Sequence, residues 1–530
     1  MNKKELEAFA SLEKMDREAT LIGHISAVLG YDFETAMSKQ GGEERGKQVA
    51  YLSSLMHNLV AGPKMKEVLD ILSEIPTAPT DPAASTDPTN PNFTNAKAME
   101  DHNATDEQKA LIRVHKKRYE DESVLPLDLV EALSEASSNC QNQWFEARKT
   151  GDYKSFAPYL ERLVALTKES AQLSSNGRSL YDTLLYKYDM GFDSAEIATL
   201  FNGMEKTIKA VMEQVSSSTK KVTDQDEAFL YEKYDIEKQK AFSKQVLTDM
   251  GFEFDRGSIG EVAHPFTSAV GVDDIRITTR FEDPNVTSQL FTIVHEGGHA
   301  IYEMGASNGW IKGTSLGQGV NMSFHESQSR LWENLVARSP QFWEHYFPIF
   351  KDYFPAQTKG VDFSSFLRAI NRVKPDDVRV NADEVTYGLH IILRFRLEKE
   401  LFDGNLTVLD LPEAWNQMSL KLLGRKPDNM QSGVLQDVHW PSGMFGYFPS
   451  YALGNLINAH VWNFMEKDLD VDSVMRSGHL YEIKNYLTNK YYKYGAIYPA
   501  NDLLEKVTGQ KLDASYFDVY LKEKYKVLFP

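Results

Sequence analysis

The chain has 530 residues, a formal net charge of −18 at pH 7 and a single cysteine, Cys140. A surface that is negative on average repels phosphate backbones and anionic lipid, so binding to nucleic acid or to a membrane is not expected as the main activity. One cysteine permits neither an internal disulfide nor a thiolate metal cluster, which suits a reducing compartment, and we expect a cytoplasmic protein.

The N-terminal stretch MNKKELEAFASLEKMDREAT carries charges throughout and lacks the apolar run of a signal peptide. A membrane-spanning helix needs roughly 18 apolar residues in a row, and no stretch approaches that length. The apolar stretch LHIILRFRLEKELF, for example, is interrupted by Arg394 and Arg396.

Helical spacing of apolar residues dominates the chain. The clearest interruption is rich in proline, from Pro76 to Pro91, and cannot be helical. Helical spacing resumes at Thr105, where the order Thr-Asp-Glu-Gln predicts a capping box. We therefore expect one domain in three parts: an N-terminal helical part (1–75), a Pro-rich connection (76–104) and a helical body (105–530).

A short strand is predicted just before the next long helix. Ile275, Ile277 and Thr279 alternate with polar residues at a period of two, which is typical of a strand. Asp283 and Pro284 predict a turn, and helical spacing follows as far as Gly305, a plausible C-terminal cap. The expected fold class is mainly α, with a small β-sheet placed just before this helix.

The helix contains the stretch FTIVHEGGHA, in which His295 and His299 stand four residues apart. Residues at that spacing share one helix face, so the two imidazoles can hold one metal ion. Catalytic zinc takes three protein ligands and a water, and Glu296 lies where it can accept a proton from that water. The spacing therefore predicts a catalytic metal site with its own base.

Two adjacent glycines, Gly297 and Gly298, lie between the histidines. Each costs about 1 kcal/mol relative to alanine inside a helix. Close approach of a neighbouring element or ligand is one reason for them, and tight core packing is another.

A third metal ligand must come from elsewhere in the chain. The metzincin pattern requires a histidine six residues after His299, but that position is Gly305, which excludes the class. Between residues 300 and 340 the carboxylates are Glu303, Glu326 and Glu333. We favour Glu326 because a site with two ligands is incomplete, although Ser323-x-x-Glu326 also matches a capping box.

The other two carboxylates each have two interpretations. Glu303, one turn beyond His299, is either a partner that orients a ligand or a solvated side chain. Glu333 either orients a ligand histidine or is an ordinary surface glutamate.

Further motifs accompany the histidine helix in a fixed order. They are HPFT (264–267), Asp274-x-Arg276-x-Thr278, HEGGH (295–299), HESQ (325–328) and GVLQDVHW (433–440). With this set, the chain resembles the M32 family of metallocarboxypeptidases, the thermostable carboxypeptidase group. The likeness extends over nearly the whole chain, although the Pro-rich region around 76–92 looks longer than the family pattern.

The resemblance implies a saddle-like gluzincin fold with a deep active-site groove, usually in a homodimer. It also implies removal of single C-terminal amino acids from peptides with a free C-terminus, with broad specificity that excludes proline. By similarity, His295, His299 and Glu326 bind Zn²⁺ or Co²⁺, and Glu296 is the base that passes a proton to the leaving amine.

Related gluzincins pair a histidine with a downstream tyrosine around the substrate carbonyl. By this likeness, His439 binds the substrate backbone and Tyr447 stabilises the oxyanion, with Tyr451 as the competing residue. His264 occupies the place of a substrate-contacting histidine; the alternative is a plain loop residue ahead of a proline.

An exopeptidase also needs a cation for the terminal carboxylate. Family position favours Arg379, with Arg276 second; a structural Arg276–Asp274 pair is equally reasonable. The strand that carries Arg276 is a candidate for binding an extended peptide at a sheet edge. Gln436 and Asp437 are expected to position the loop around His439.

Two alternatives to a carboxypeptidase remain at this point. One is a zinc oligopeptidase or peptidyl dipeptidase of the same fold. The other is a catalytically silent peptide-binding scaffold, against which the intact Glu296 argues, because a binding module has no use for a base.

Overall fold

The computed structural model describes residues 1–38, 40–77, 104–262, 264–281 and 285–530. Helices make up most of these ranges, as the spacing of apolar residues predicts. The helices before the sheet are α1 (Lys3–Thr35), α2 (Gly42–Ala61), α3 (Pro63–Ile71), α4 (Asp106–Ser123), α5 (Leu127–Thr150), α6 (Tyr153–Leu173), α7 (Leu180–Tyr188), α8 (Ser194–Ser217) and α9 (Ile236–Asp249).

The helices after the sheet complete the body of the molecule. They are α10 (Val286–Ala306), α11 (Met322–Arg330), α12 (Pro340–Tyr353), α13 (Phe363–Ile370), α14 (Tyr387–Asp403), α15 (Leu411–Leu423), α16 (Pro449–Asp468), α17 (Val471–Ser477), α18 (Tyr481–Lys490), α19 (Ala500–Thr508) and α20 (Ser515–Leu528). A π-helical turn, Leu331–Val336, continues α11. None of the helices in the described ranges combines the length with the apolar character of a membrane-spanning segment.

The predicted helix start at Thr105 is confirmed. The Thr105 hydroxyl accepts from the Gln108 backbone N–H, and the Gln108 side chain accepts from the Thr105 N–H. Most of the Pro-rich connection predicted at 76–104, and the turn predicted at Asp283 and Pro284, lie outside the described residues.

The small sheet has three strands, β1 (Gly257–Glu261), β2 (Thr267–Gly271) and β3 (Asp274–Thr279), in the order β1-β3-β2. The predicted strand is β3, which pairs in parallel with β1 and antiparallel with β2. Because β3 is hydrogen-bonded on both sides, the expectation that it binds a peptide as a sheet edge is wrong. Its apolar side faces the core: Ile275, Ile277 and Thr279 are buried.

The histidine helix is α10. It begins after Asn285, whose side-chain oxygen accepts from the N–H groups of Thr287 and Ser288. The predicted cap at Gly305 is wrong, since α10 continues to Ala306. A Cβ atom at Gly305 would lie 2.7 Å from the ring of Tyr492, so this glycine allows close packing instead of ending the helix.

Both glycines inside the HEGGH motif serve close packing as well. A Cβ atom at Gly298 would lie 2.9 Å from Ser329 Cα, and one at Gly297 would lie 2.5 Å from Leu247 in α9. Helix α11 therefore passes α10 almost at backbone contact.

On its other side, α11 packs closely against α16. There a Cβ atom at Gly454 would lie 3.0 Å from Glu326 Cγ. Helix α11, which carries Glu326, is thus packed between Gly298 of α10 and Gly454 of α16.

Candidate metal centre and active site

The structure brings His295, His299 and Glu326 together. One ligand atom from each residue lies within 4.8 Å of the others. His295 Nε2 and His299 Nε2 lie 3.7 Å and 3.5 Å from Glu326 Oε2. The capping-box interpretation of Ser323 and Glu326 is wrong, because the N-terminal cap of α11 is Asn321, whose side chain accepts from Phe324 N.

The other ring nitrogen of each histidine already has a partner. His295 Nδ1 lies 3.0 Å from Glu333 Oε2, and His299 Nδ1 lies 2.5 Å from His325 Nδ1. These contacts hold both imidazoles with Nε2 directed towards Glu326. Partners of this kind fix the tautomer and the orientation of ligating histidines.

Of the two interpretations of Glu303, the structure matches a partner that orients a histidine, and that histidine is His325. The Oε1 atom of Glu303 is 2.7 Å from His325 Nε2 and accepts from the Gly319 backbone N–H at 3.1 Å. Glu303 therefore contacts His299 only through His325, so the HESQ motif contributes its histidine as well as its glutamate.

Arg330 pairs with both carboxylates that contact the histidines, Glu326 and Glu333. Its Nε donates to Glu326 Oε1 at 2.8 Å, and its guanidinium lies 3.3 Å from Glu333 Oε2. Burial opposes ionisation of Glu326, but Arg330 and the two histidines hold the pKa of this carboxyl well below its usual range. Glu326 is thus ionised and suited to bind a cation.

Glu296 is buried beside the histidines, with 7% of its surface exposed. Thr267 Oγ1, at the start of β2, donates to Glu296 Oε2 at 2.6 Å. Burial raises the pKa of Glu296, although His295 and the Thr267 hydroxyl oppose this effect. A carboxyl with a raised pKa binds a proton more readily than an ordinary glutamate, which suits a group that accepts a proton and later returns it.

The HPFT motif therefore contributes Thr267 to this group. His264, the residue of that motif singled out from the sequence, is exposed and makes no hydrogen bond to another described residue. The structure thus does not place His264 with the metal ligands.

Arg276 lies in an ion pair. Its Nε and NH2 atoms donate to the two oxygens of Asp274 at 3.0 Å and 2.6 Å, and its guanidinium covers the Tyr31 ring at 5.0 Å. Of the two interpretations left open, the geometry matches the structural Arg276–Asp274 pair.

Arg379 lies in a second cluster, built around Asp437. Arg379 Nε donates to Asp437 Oδ1 at 3.0 Å, and Arg394 Nε donates to Asp437 Oδ2 at 2.8 Å. Arg379 also donates from its backbone to Gln436 Oε1 at 2.8 Å and from its guanidinium to the Tyr387 hydroxyl at 3.1 Å. No sequence motif pointed to a site role for Arg394, which is fully buried.

His439, Tyr447 and Tyr451 form an aromatic group next to that cluster. His439 Nε2 lies 3.2 Å from the Tyr451 hydroxyl, and the rings of His439 and Tyr447 stack 5.6 Å apart. Burial lowers the pKa of His439 to about 3, so its imidazole is neutral. Burial, with a contribution from Glu326, raises the pKa of Tyr447 well above its usual range, so its hydroxyl stays protonated.

The model of the "Carboxypeptidase Taq (M32) metallopeptidase" family matches residues 11–525. The chain belongs to this family. It is 34% identical over 533 residues to thermostable carboxypeptidase 1 of Thermus thermophilus, which covers 98% of this chain and 99% of the relative. It is 33% identical over 512 residues to carboxypeptidase 1 of Bacillus subtilis, with 96% of each chain covered. The resemblance inferred from the five motifs is confirmed.

Solved structures agree with this assignment. An M32 carboxypeptidase from Deinococcus radiodurans R1 superposes with a TM-score of 0.89 at 31% identity, over 99% of both chains. Metallocarboxypeptidase 1 of Trypanosoma cruzi gives a TM-score of 0.88 at 27% identity, over 98% of this chain and 99% of that one. The predicted mainly helical fold with a small sheet is confirmed, and the protein is an M32 metallocarboxypeptidase.

The M32 family implies a divalent metal, and the residues present fit one. Two imidazole nitrogens and an ionised carboxylate oxygen form the donor set of a catalytic zinc site. Burial lowers the pKa of His299 to about 3, which keeps its ring in the neutral form that a metal requires. The fit therefore rests on donor chemistry as well as on distance.

Besides Arg394, three residues that contact Glu296 or the candidate metal ligands were not singled out from the sequence: Thr267, Arg330 and the His325 ring. Arg330 had a local signal, because it stands four residues after Glu326 on the same helix face. Thr267 and His325 are in the motifs already quoted, but their partners belong to other elements.

Proposed function

We propose that the chain is a zinc-dependent carboxypeptidase that hydrolyses single C-terminal amino acids from peptides, with broad specificity that excludes proline. The observation that carries the proposal is the group of His295, His299 and Glu326 with Glu296 buried beside it. A bound divalent metal would supply a water of low pKa and polarise the scissile carbonyl. Zn²⁺ is the proposed ion, with Co²⁺ as a substitute.

Glu296 acts as the general base in this proposal. Its carboxylate takes the proton of the attacking water and returns it to the nitrogen of the leaving amino acid. The hydrogen bond from Thr267 at 2.6 Å restrains Glu296 Oε2 and leaves Oε1 for the water. This division of the two oxygens is a physical reason for a threonine at the end of HPFT.

We assign the oxyanion and the substrate backbone to the aromatic group. A protonated tyrosine hydroxyl donates to the oxygen that becomes negative in the tetrahedral intermediate, and Tyr447 is our choice over Tyr451. Tyr451 lies 3.2 Å from His439 Nε2, which occupies its hydroxyl. His439 Nδ1 is buried 4.0 Å from Asp437 Oδ1, and we assign the imidazole to the substrate backbone by the resemblance.

We assign the terminal carboxylate to Arg379. Asp437 is shared by two guanidiniums, those of Arg379 and Arg394, so this cluster keeps a net positive charge. Of the two arginines, Arg379 is the one with some exposure, at 8% against 0%. Arg276 is our second choice for the terminal carboxylate, because it already pairs with Asp274. We retain His264 as a peripheral substrate contact.

Three further parts of the proposal rest on the sequence and on the resemblance. We propose that the chain forms a single peptidase domain, that it assembles as a homodimer and that it works in the cytoplasm. The buried state of Cys140 is compatible with a reducing compartment. Light scattering after size exclusion tests the dimer: a monomeric mass across the working concentration range would contradict it.

The alternative function is that of a zinc oligopeptidase or peptidyl dipeptidase. One experiment separates the two: incubate the protein with a peptide that has a free C-terminus and with its C-terminal amide, each with and without a chelator, and follow the products by mass. We expect stepwise loss of one residue from the free peptide only, abolished by chelation. Internal fragments, or losses of two residues from either peptide, would refute the proposal.

A further inference from the structure

A buried carboxylate lies behind the aromatic group. Glu398 belongs to α14 and is fully buried. It accepts three hydrogen bonds: from Trp440 Nε1 at 2.7 Å, from the Tyr181 hydroxyl at 2.8 Å and from the Gly446 backbone N–H at 3.1 Å. No ion pair to Glu398 occurs among the described residues, so these three donors contribute more than the charge of Arg394 to stabilising the carboxylate.

Two of the donors stand next to residues of the proposed site. Trp440 follows His439 in the chain, and Gly446 precedes Tyr447. Glu398 Oε1 accepts from Trp440, and Oε2 accepts from Gly446. One carboxylate therefore joins both ends of the segment between His439 and Tyr447.

The Gly446 end of the segment cannot shift easily. Gly446 has a φ of +85°, which side chains other than glycine rarely adopt. A Cβ atom there would lie 2.8 Å from the Leu184 backbone in α7. The backbone just before Tyr447 is therefore fixed by α7 on one side and by Glu398 on the other.

We propose that Glu398 is a positioning residue for the reaction: by binding Trp440 and Gly446 at once, it sets the placement of His439 relative to Tyr447. This inference rests on the proposed function, in which both residues contact the substrate. The hydrogen-bond partners of Glu398 are Tyr181, Trp440 and Gly446, so in this proposal it acts through the segment and not directly on the substrate.

The environment of Glu398 makes this placement depend on pH. Burial raises the pKa of Glu398 to about 7, against the effect of its three donors and of Arg394 on the same helix. The titratable groups that face it from α7 are Tyr181 and Tyr188, both uncharged because their pKa values are raised. As the pH falls through about 7, Glu398 gains a proton and becomes a poorer acceptor for its three donors. Turnover then decreases.

Replacing Glu398 with glutamine tests the placement of His439 and Tyr447 without changing the size of the buried side chain. Glutamine has the size of glutamate, but it has one acceptor oxygen and one NH₂ group. If the oxygen accepts from Trp440, the NH₂ group faces the Gly446 N–H, and two donors confront each other. If the amide is flipped, Trp440 loses its acceptor instead. Either way, one end of the segment is released.

The test compares Glu398→Gln, Trp440→Phe and Tyr181→Phe with the wild type, on a peptide with a free C-terminus. For Glu398→Gln we expect kcat to fall by about tenfold to a hundredfold, the size typical of misplaced groups near the chemistry, with KM within about twofold. The decrease in kcat that the wild type shows as the pH falls through about 7 should also be absent in this variant. Trp440→Phe, which frees the His439 end, should lower kcat by a smaller factor.

Tyr181→Phe removes a donor that is not part of the His439–Tyr447 segment. We expect its kcat above pH 8 to equal that of the wild type. The decrease in its kcat with falling pH should move to higher pH, because a carboxylate that loses a donor has a higher pKa. A purely structural role for Glu398 would not produce this shift.

Several results would overturn the inference. One is a folded Glu398→Gln variant with wild-type kcat, or one in which KM alone changes. If that variant does not fold, the Tyr181→Phe variant decides instead. The inference is refuted if kcat of Tyr181→Phe falls at the same pH as kcat of the wild type. Metal retention under a chelator titration should match the wild type in all three variants. A wild type without any turnover would refute the proposed function itself, which distinguishes the two failures.

Discussion

The Thr267 hydroxyl lies within hydrogen-bonding distance of two Glu296 oxygens, the side-chain Oε2 at 2.6 Å and the backbone carbonyl at 3.0 Å, and the shorter contact is the one to Oε2. The contact joins the first residue of β2 to the histidine helix, 29 positions further along the chain. A strand next to a metal-binding helix thereby orients the proposed base.

Replacing Thr267 with valine keeps the shape of the side chain and removes the hydroxyl. We expect kcat to fall about tenfold, because Glu296 loses the bond that orients its carboxylate, while KM and metal content stay unchanged. Steady-state kinetics provide the measurement. Thr267→Ser, which keeps the hydroxyl, should restore most of the activity; equal rates for valine and threonine would show that the bond has no role.

Replacing Glu296 with glutamine removes the base and keeps an acceptor for Thr267. Loss of a general base costs between about 10²-fold and 10⁴-fold, and we expect a fall in kcat of about 10³-fold. Metal content, measured on the same sample by mass spectrometry, should equal that of the wild type. Cleavage at a rate near the wild type would remove Glu296 from the mechanism.

Removal of the metal should abolish activity and lower the thermal stability. A chelator is expected to stop cleavage, and Zn²⁺ or Co²⁺ should restore it. Because α10 and α11 both contribute ligands, the bound ion should raise the melting temperature by an amount that grows with its concentration. Glu326→Gln should weaken this stabilisation. An unchanged melting temperature on addition of Zn²⁺ to the wild type would contradict the site.

Replacing Gly454 with alanine tests the packing behind the metal centre. The added Cβ would lie 3.0 Å from Glu326 Cγ and 3.1 Å from Ser327 N, so α11 or α16 must shift. Overpacking of this kind costs about 1–3 kcal/mol of unfolding free energy, and we expect metal affinity to fall as well.

Gly203→Ala is the matched control for Gly454→Ala. Gly203 lies inside α8, and a Cβ there would have its nearest neighbour, Ala514 Cβ, at 3.9 Å. Alanine should be neutral or stabilising at that position. Chelator competition and chemical denaturation measure both variants, and equal behaviour of the two would contradict the packing argument.

Replacing Arg379 with methionine tests recognition of the terminal carboxylate. Asp437 would still pair with Arg394, so no buried charge is left alone. We expect kcat/KM for a free peptide to fall about a hundredfold, in line with about 2–5 kcal/mol for one lost partner of a buried charged pair. The rate ratio of free peptide to amide decides the assignment. If Arg276→Met lowers this ratio and Arg379→Met does not, Arg276 is the recognition residue.

Much of the metal centre could be predicted from local spacing. Two histidines four residues apart share a helix face in any fold, and a period of two predicts the strand Asp274–Thr279 wherever the strand lies. The five ordered motifs carried the resemblance to the M32 family, which the family model confirms. These inferences depend on neighbours in the sequence.

Only the tertiary structure decided which side chains meet across elements. The sequence left open the roles of Glu303 and Glu333; the structure places Glu333 on His295 and Glu303 behind His325. It also pairs Arg379 with Asp437, 58 residues away. The physical reason is that such contacts depend on how closely helices approach and at which level they cross. In this protein Gly298 and Gly454 set that approach on the two sides of α11, and local spacing carries no information about it.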